Sequence, residues 1–183
     1  MSVELVYETH AITEDNDAGI ATGWLPGKLS AAGLDSAEQL GQRRRRDRLA
    51  AIFVSDLARA LETVRIAFGE DGPPRFVDWR LRECDYGELN GAPTSLVQLQ
   101  RRRYLDRPHP KGESWRQAVA RTGQVLADIA ARFDGQRVLL VGHSAQRFAL
   151  DHLLKGEPLE ALIEADFAWR EGWEYRLPAG WRP

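Results

Sequence analysis

The sequence predicts an α/β fold in which helices pack in layers on a mostly parallel sheet. Short runs of continuous apolar residues at 50–54 and 138–141 are typical of strands that are buried on both faces. A segment with helical spacing of apolar residues follows each run, and strands that alternate with helices favour a parallel sheet. The length of 183 residues suits one domain, which we expect to span residues 1–183.

The remaining elements are predicted from periodicity and from boundary residues. The first half is expected to contain a strand at 3–8, a helix at 31–46 capped by Ser30, and a helix over 57–68 capped by Ser55 or Asp56. The second half is expected to contain an edge strand at 75–77 and a short helix near 94–103. A long helix should follow, opened by a capping box of Ser114 and Gln117, and then a helix that ends at Lys155 before Gly156. The tail at 167–177 is expected to form a hairpin or an edge strand.

Composition and charge exclude several classes of function. The net charge of -2 gives no strong attraction to nucleic acid or to an anionic membrane, and no apolar run is long enough to span a bilayer. The single cysteine, Cys84, excludes an internal disulfide and suits a reducing cytosol. We therefore expect a cytoplasmic protein without nucleic-acid or membrane partners.

Two arginine runs, 43–48 and 101–103, need a separate explanation. Neither run is accompanied by aromatic residues that could stack on bases, and acidic residues elsewhere balance their charge. The first run is expected to be a solvated helix end that interacts favourably with the helix dipole. The second run and His109 are candidates for the rim of an anion-binding site.

Polar residues follow three predicted strands directly, at His10, Ser55-Asp56 and Gly142-His143, and they suggest a phosphoryl-transfer site. His10 and His143 each leave a strand, and the carboxyl ends of parallel strands meet at one edge of a sheet. Transfer through histidine requires a neutral imidazole that attacks phosphorus, cationic donors to the phosphoryl oxygens and an acid for the leaving oxygen. His10 is the predicted nucleophile, Arg59 and His143 are the predicted donors, and Glu83 is the predicted acid, with Asp85 and Glu88 as alternatives.

Five motifs in order resemble those of the histidine phosphatase superfamily, over roughly residues 3–155. His10 and Asn16 keep the spacing of the family's first motif, and Thr22-Gly23 resembles a phosphate-loop pair. The further motifs are LSAAGLDSAEQLG, SDLARALET with Arg59, RLRECDYGELNG with Glu83, and VLLVGHSA with His143. Any one motif is weak evidence, but their joint occurrence in this order is strong.

The resemblance implies a three-layer α/β/α sandwich with a phosphoglycerate mutase-like fold. It also implies a phosphatase that hydrolyses a small phosphorylated metabolite through a phosphohistidine, without a metal or another cofactor. The implied catalytic residues are His10, Glu83, His143 and Arg59, and the implied phosphate-binding residues are Arg59, His143, Asn16, Thr9, Thr22, Gly23 and Ser144. A homodimer is left open.

The chain departs from the family pattern at its first motif. Thr9 and Ala11 stand where the family has the arginine and the glycine of Arg-His-Gly. Loss of a bidentate phosphate donor removes about 1.5–3 kcal/mol of transition-state stabilisation, unless another arginine replaces it. Arg147 and Arg82 are the candidates for that replacement. A carboxylate at Glu8, beside the site, is expected to repel a phosphate dianion.

Three other functions compete with the phosphatase. VLLVGHSAQ resembles the nucleophile elbow of an α/β-hydrolase with Ser144, but Gln146 occupies a position that needs a small residue. The only later histidine, His152, lies on the same predicted helix and cannot reach back as a base. A binding domain without turnover remains open because of Thr9. A phosphoglycerate-mutase-type phosphotransferase is less favoured, since the segment between Glu83 and His143 is short for a shielding lid.

Overall fold

A mixed five-stranded sheet forms the centre of the molecule, which a computed structural model describes over residues 1–183. The strands are β1 (Ser2–Thr9), β2 (Ile20–Ala21), β3 (Ala51–Val54), β4 (Arg75–Val77), β5 (Ala92–Pro93), β6 (Arg137–Gly142) and β7 (Trp173–Pro178). The order in the sheet is β4-β3-β6-β1-β7, and β2 pairs with β5 in a separate ribbon. Only β7 runs antiparallel to its neighbour, β1, so the predicted mostly parallel sheet is confirmed.

Helices cover both faces of this sheet. They are α1 (Glu14–Asp17), α2 (Ala31–Arg44), α3 (Ala58–Phe68), α4 (Thr94–Gln100), α5 (Trp115–Arg132), α6 (Ser144–Lys155) and α7 (Leu159–Glu164). Helices α2 and α3 pack together, and α5 packs on α6. None of the helices combines the length and apolarity needed to span a bilayer.

The sheet separates the apolar core into two layers, one on each of its faces. Successive side chains of a strand point to opposite faces, so Leu5 packs with Leu126 and Ile129 of α5, whereas Val6 packs with Ala60 and Val64 of α3. All six side chains are buried. The predicted three-layer α/β/α sandwich is therefore confirmed.

Most predicted helix boundaries are confirmed by the caps that form. The Ser30 hydroxyl accepts from the Gly33 N–H, and Ser114 and Gln117 form the expected capping box. Gly156 ends α6 in the left-handed conformation, with φ +74°. Strand β7 pairs only with β1, so the tail is an edge strand and not a hairpin.

Two predicted boundaries were wrong. The N-cap of α3 is Leu57, which has no side-chain capping bond, while the Ser55 hydroxyl accepts from the Leu57 N–H. The single helix expected near 94–103 is α4 followed by a tighter 3₁₀ turn at Arg101–Tyr104.

The carboxyl ends of β1, β3 and β6 lie at one edge of the sheet. Thr9 pairs with Gly142 in the β1–β6 ladder, and the His10 N–H donates to the Gly142 carbonyl at 2.9 Å. His10 and His143 therefore leave adjacent parallel strands at the same level. Helices α3 and α6 also begin at this edge and direct their N-terminal dipoles toward it.

Candidate active site

A pocket of about 640 Å³ opens at this edge of the sheet. Its walls come from the ends of β1 and β6, from the loop after α1, and from α2, α3 and α4. The pocket is lined by every residue predicted for catalysis or phosphate binding: Thr9, His10, Asn16, Thr22, Gly23, Arg59, Glu83, His143 and Ser144. Residues far apart in the chain are thus gathered as the strand-end argument predicts.

The two imidazoles face each other inside the pocket. The ring centroids of His10 and His143 are 5.0 Å apart, with 54° between the ring planes. His10 Nδ1 lies 2.7 Å from the Ala11 carbonyl oxygen, which can only accept. The ring proton is therefore on Nδ1, and His10 Nε2 carries the lone pair that a nucleophile needs.

Arg59 joins both imidazoles to the phosphate-loop backbone. Its Nε lies 3.3 Å from His10 Nε2, and its Nη2 lies 3.3 Å from His143 Nδ1. The same guanidinium donates at 2.8 Å to the carbonyls of Leu25 and Gly23. With only 2% of its surface exposed, this side chain is locked in place. Helix α3 delivers it from its first turn, as the motif around Arg59 indicates.

Both imidazoles are held neutral. Burial, and then the positive charge of Arg59, lowers the pKa of His10 to about 3. The same two causes, in the same order, lower the pKa of His143 well below its ordinary value. Neutral His10 can attack phosphorus at physiological pH, and the fixed positive charge of the site has to come from arginine.

His143 is oriented to donate into the pocket. Arg59 Nη2 donates to Nδ1, so the ring proton of His143 is on Nε2. This nitrogen is buried and has no hydrogen-bond partner. The Tyr7 hydroxyl donates to the His143 carbonyl and holds the backbone below the ring. An unpartnered buried N–H is a ready donor for a phosphoryl oxygen.

Glu83 lies at the N-terminus of α6, where the helix dipole favours an anion. Its Oε1 accepts from the Cys84 and Ala145 N–H groups at 2.8 and 3.1 Å, and its Oε2 accepts from the Ser144 hydroxyl at 2.8 Å. The alternatives, Asp85 and Glu88, do not line the pocket. Of the three predicted acids, Glu83 is thus the one that lines the pocket with the histidines.

The backbone of Glu83 is held separately from its carboxylate. Its carbonyl accepts from the Trp24 indole N–H at 2.7 Å and from Arg121 Nη2 at 2.8 Å. Arg121 also bonds to Glu113 and to the carbonyl of Arg82. Sequence reasoning missed Arg121, because its position on the buried side of α5 shows only as an arginine within an apolar stripe.

The predicted phosphate loop needs glycine at position 23, where the backbone is left-handed and tightly packed. Gly23 has φ +54°, and a Cβ there would lie 1.8 Å from Asn90 Oδ1. The Thr22 hydroxyl donates to Asp15 Oδ2 at 2.8 Å. Asn16 Oδ1 accepts from the Thr13 N–H at 3.0 Å, so the amide nitrogen of Asn16 is the group left to donate to a ligand.

Neither arginine proposed to replace the missing family arginine reaches the pocket. Arg82 forms two bonds of 2.7 Å to Asp56 and lies over the Trp24 ring. Arg147 pairs with Asp151 and lies over the Trp173 ring. Both side chains are held by local partners and are absent from the pocket walls. The expectation that one of them substitutes for it was wrong.

The first arginine run is not simply a solvated helix end. Arg44 Nε donates to Glu8 Oε1 at 2.8 Å, and Arg43 Nη2 donates to Glu8 Oε2 at 3.3 Å. Glu8 is 1% exposed, and these two cations compensate its charge. The expected repulsion of a phosphate dianion by Glu8 is therefore corrected: two guanidinium groups hold this carboxylate and compensate its charge.

The predicted rim residues divide into two groups. His109 is buried and stacks on Tyr104 with centroids 4.1 Å apart, so its expected place on the rim was wrong. Arg101 is also buried, but it lines the pocket, as does Tyr86. Trp169, 58% exposed, stands at the mouth of the pocket. No group of three or more His, Cys, Asp or Glu side chains is arranged to hold a metal ion.

Solved structures with the same fold include phosphatases. The chain superposes on Bacillus stearothermophilus YhfR with a TM-score of 0.80 at 27% identity, covering 92% of this chain and 88% of that one. The match to mycobacterial glucosyl-3-phosphoglycerate phosphatase has a TM-score of 0.76 at 25% identity, covering 89% of this chain and 84% of that one.

Sequence relatives carry the name of a mutase. A 2,3-bisphosphoglycerate-dependent phosphoglycerate mutase of Bradyrhizobium sp. (strain ORS 278) is 30% identical over 191 residues, covering 96% of this chain and 92% of the relative. The short segment between Glu83 and His143 was expected to distinguish this chain from mutases. Because the chain matches a protein named as a mutase over nearly the whole length of both, that expectation was wrong. The family model of the histidine phosphatase superfamily (branch 1) matches residues 9–168, and the chain belongs to that superfamily.

Proposed function

We propose that this protein is a phosphomonoester hydrolase that acts through a phosphohistidine on a small phosphorylated metabolite. One observation carries the proposal: two neutral imidazoles, 5.0 Å apart, are both bonded to the buried guanidinium of Arg59. That arrangement offers a nucleophile, a donor and a fixed positive charge to one tetrahedral anion.

In the first step, His10 Nε2 attacks phosphorus while the bond from phosphorus to the leaving oxygen breaks. The Nδ1–H bond to the Ala11 carbonyl stabilises the positive charge that develops on the ring. Arg59 and the Nε2–H of His143 donate to the phosphoryl oxygens. Glu83, in its protonated form, gives its proton to the departing alkoxide, so that a neutral alcohol leaves.

In the second step, water attacks the phosphohistidine and the nitrogen–phosphorus bond breaks. Glu83, now ionised, accepts a proton from the attacking water, which returns the carboxyl group to its starting form. Inorganic phosphate is released, and His10 returns to its neutral form. This step requires water to reach phosphorus, which a mutase has to prevent.

Hydrolysis of p-nitrophenyl phosphate tests this proposal. Wild type should release phosphate, whereas His10→Ala should be inactive, and His152→Ala should match wild type because His152 lies outside the pocket. Acid-labile, base-stable phosphate bound to the quenched enzyme would identify the intermediate. Absence of His10-dependent release across a panel of phosphate esters would favour a binding domain without turnover.

A mutase-type phosphotransferase is the second candidate, because the named relatives are mutases over nearly their whole length. The two activities differ in the fate of the phosphoryl group. Incubation with 3-phosphoglycerate, with and without 2,3-bisphosphoglycerate, should yield inorganic phosphate if the protein is a hydrolase. Formation of 2-phosphoglycerate without phosphate release would establish the mutase instead.

A further inference from the structure

Arg59 alone cannot balance the charge of a bound phosphoryl group. The group carries up to two negative charges, and both imidazoles are neutral in the free protein. A second cation near the phosphoryl oxygens is therefore needed, if the site works as proposed above.

Arg43 lines the pocket beside Glu8, the residue that precedes Thr9 on β1. It lines the pocket together with Glu8 and His10, and α2 delivers it from its last turn. The side chain is 20% exposed. Its Nε is buried and has no hydrogen-bond partner, and its Nη2 makes one bond of 3.3 Å, to Glu8. Arg43 thus keeps donors that a ligand can use.

Glu8 is held mainly by the other arginine. Arg44 approaches it at 2.8 Å and is itself tied to Asp47 at 3.2 Å. Gly172, with φ +82°, brings the chain so close that a Cβ would lie 2.2 Å from Arg44 Nη2 and 2.9 Å from Glu8 Oε1. Glu8 and Arg44 are therefore packed in place, whereas Arg43 makes only the 3.3 Å bond to Glu8 and a looser ion pair, at 3.8 Å, with Glu171.

Arg101 is the other pocket arginine, but it belongs to a different wall. Its Nη1 donates to the Ile163 carbonyl at 3.1 Å, and its guanidinium lies over the rings of Trp115 and Phe148. These contacts fix Arg101 beside α4 and α7. Arg101 is consequently a poorer substitute than Arg43 for the family's arginine, whose place Thr9 occupies.

We propose that Arg43 is a second phosphate-binding guanidinium and supplies from α2 the cation that the family pattern places at Thr9. The inference rests on the proposed function for the identity of the anion. In this arrangement Thr9 leaves the family's arginine position without a charge, and Arg43 from α2, held by the buried carboxylate of Glu8 on β1, supplies the guanidinium.

Affinity for inorganic phosphate tests this inference without requiring turnover. Binding is measured by titration calorimetry for wild type, Arg43→Gln, Arg43→Lys and Arg46→Gln. Glutamine at 43 can still donate to Glu8, which keeps the fold while removing the charge. Arg46 is exposed and lies outside the pocket, so Arg46→Gln is the matched control for a lost charge in the same run.

The expected result is a Kd for phosphate raised about ten-fold or more in Arg43→Gln. Arg43→Lys should lie between that variant and wild type, and Arg46→Gln should stay within about two-fold of wild type. An unchanged Kd in Arg43→Gln, or equal weakening by Arg46→Gln, would overturn the inference. If His10→Ala retains full turnover while Arg43→Gln weakens binding, the proposed mechanism fails and the assignment of Arg43 stands.

Discussion

Two neutral histidines buried in the active-site pocket should make the protein unusually sensitive to mild acid. The ordinary pKa of histidine, about 6.5, applies to the unfolded chain, whereas the folded pKa is about 3 for His10 and well below 6.5 for His143. Between these values the unfolded state binds a proton at each histidine that the folded state does not bind. Stability therefore rises with pH across this window and is lost as the pH falls below about 6.5.

The size of the effect follows from linkage. Each histidine contributes a slope of about 1.4 kcal/mol per pH unit to the free energy of unfolding. From pH 6.5 to pH 4.5 the two together remove up to roughly 5 kcal/mol, which is of the order of the total stability of a domain. Solvent that reaches the partly exposed His10 side chain reduces the contribution of His10 to this loss of stability.

Urea unfolding followed by tryptophan fluorescence, in phosphate-free buffer between about pH 7 and pH 4.5, measures this slope. His10→Asn and His143→Asn should each remove one histidine's contribution, and the double variant should remove both. The same pH dependence in wild type and in the double variant would refute the assignment of two neutral imidazoles.

Three further predictions concern single side chains. Glu83→Gln should slow hydrolysis most for aryl phosphates with poor leaving groups, and equal slowing across the series would remove Glu83 from the acid role. Arg59→Lys should lower kcat by about 10²–10³-fold, because an amine cannot replace the fork that contacts both imidazoles; a loss of stability alone, seen by urea unfolding, would contradict this. Gly23→Ala should destabilise the fold by about 1–3 kcal/mol through its clash with Asn90. The control Gly19→Ala, also at positive φ but with open space around it, should cost less in the same unfolding assay, and equal losses would exclude the clash as the cause.

The fold and the core of the candidate site could be predicted because they depend on local signals. Apolar runs and caps define the strands and helices, and parallel strands bring their carboxyl ends together. His10 and His143 each follow such a strand, so their meeting required no knowledge of side-chain packing. Arg59 and Glu83 were located by motif spacing, and the pocket contains both.

The choice of partners among the many arginines could not be predicted. Arg43 and Arg44 are adjacent in a run of four arginines, and only the folded structure brings these two, rather than their neighbours, to Glu8. Arg82 and Arg147 were attractive by proximity in sequence, yet acidic residues nearby already hold them. Pairing of long, flexible side chains is decided by tertiary geometry, which has no periodic trace in the sequence.

The spacing of the two imidazoles is inherited from the backbone. The centroid separation of 5.0 Å is close to the distance of about 4.8 Å between neighbouring strands, and His10 and His143 follow residues that pair in the β1–β6 ladder. The distance between the two imidazoles therefore does not depend on the conformation of the surrounding loops. Exchange of the segment 84–112 for that of another superfamily member should alter which ester is accepted, while phosphorus continues to meet the same two rings.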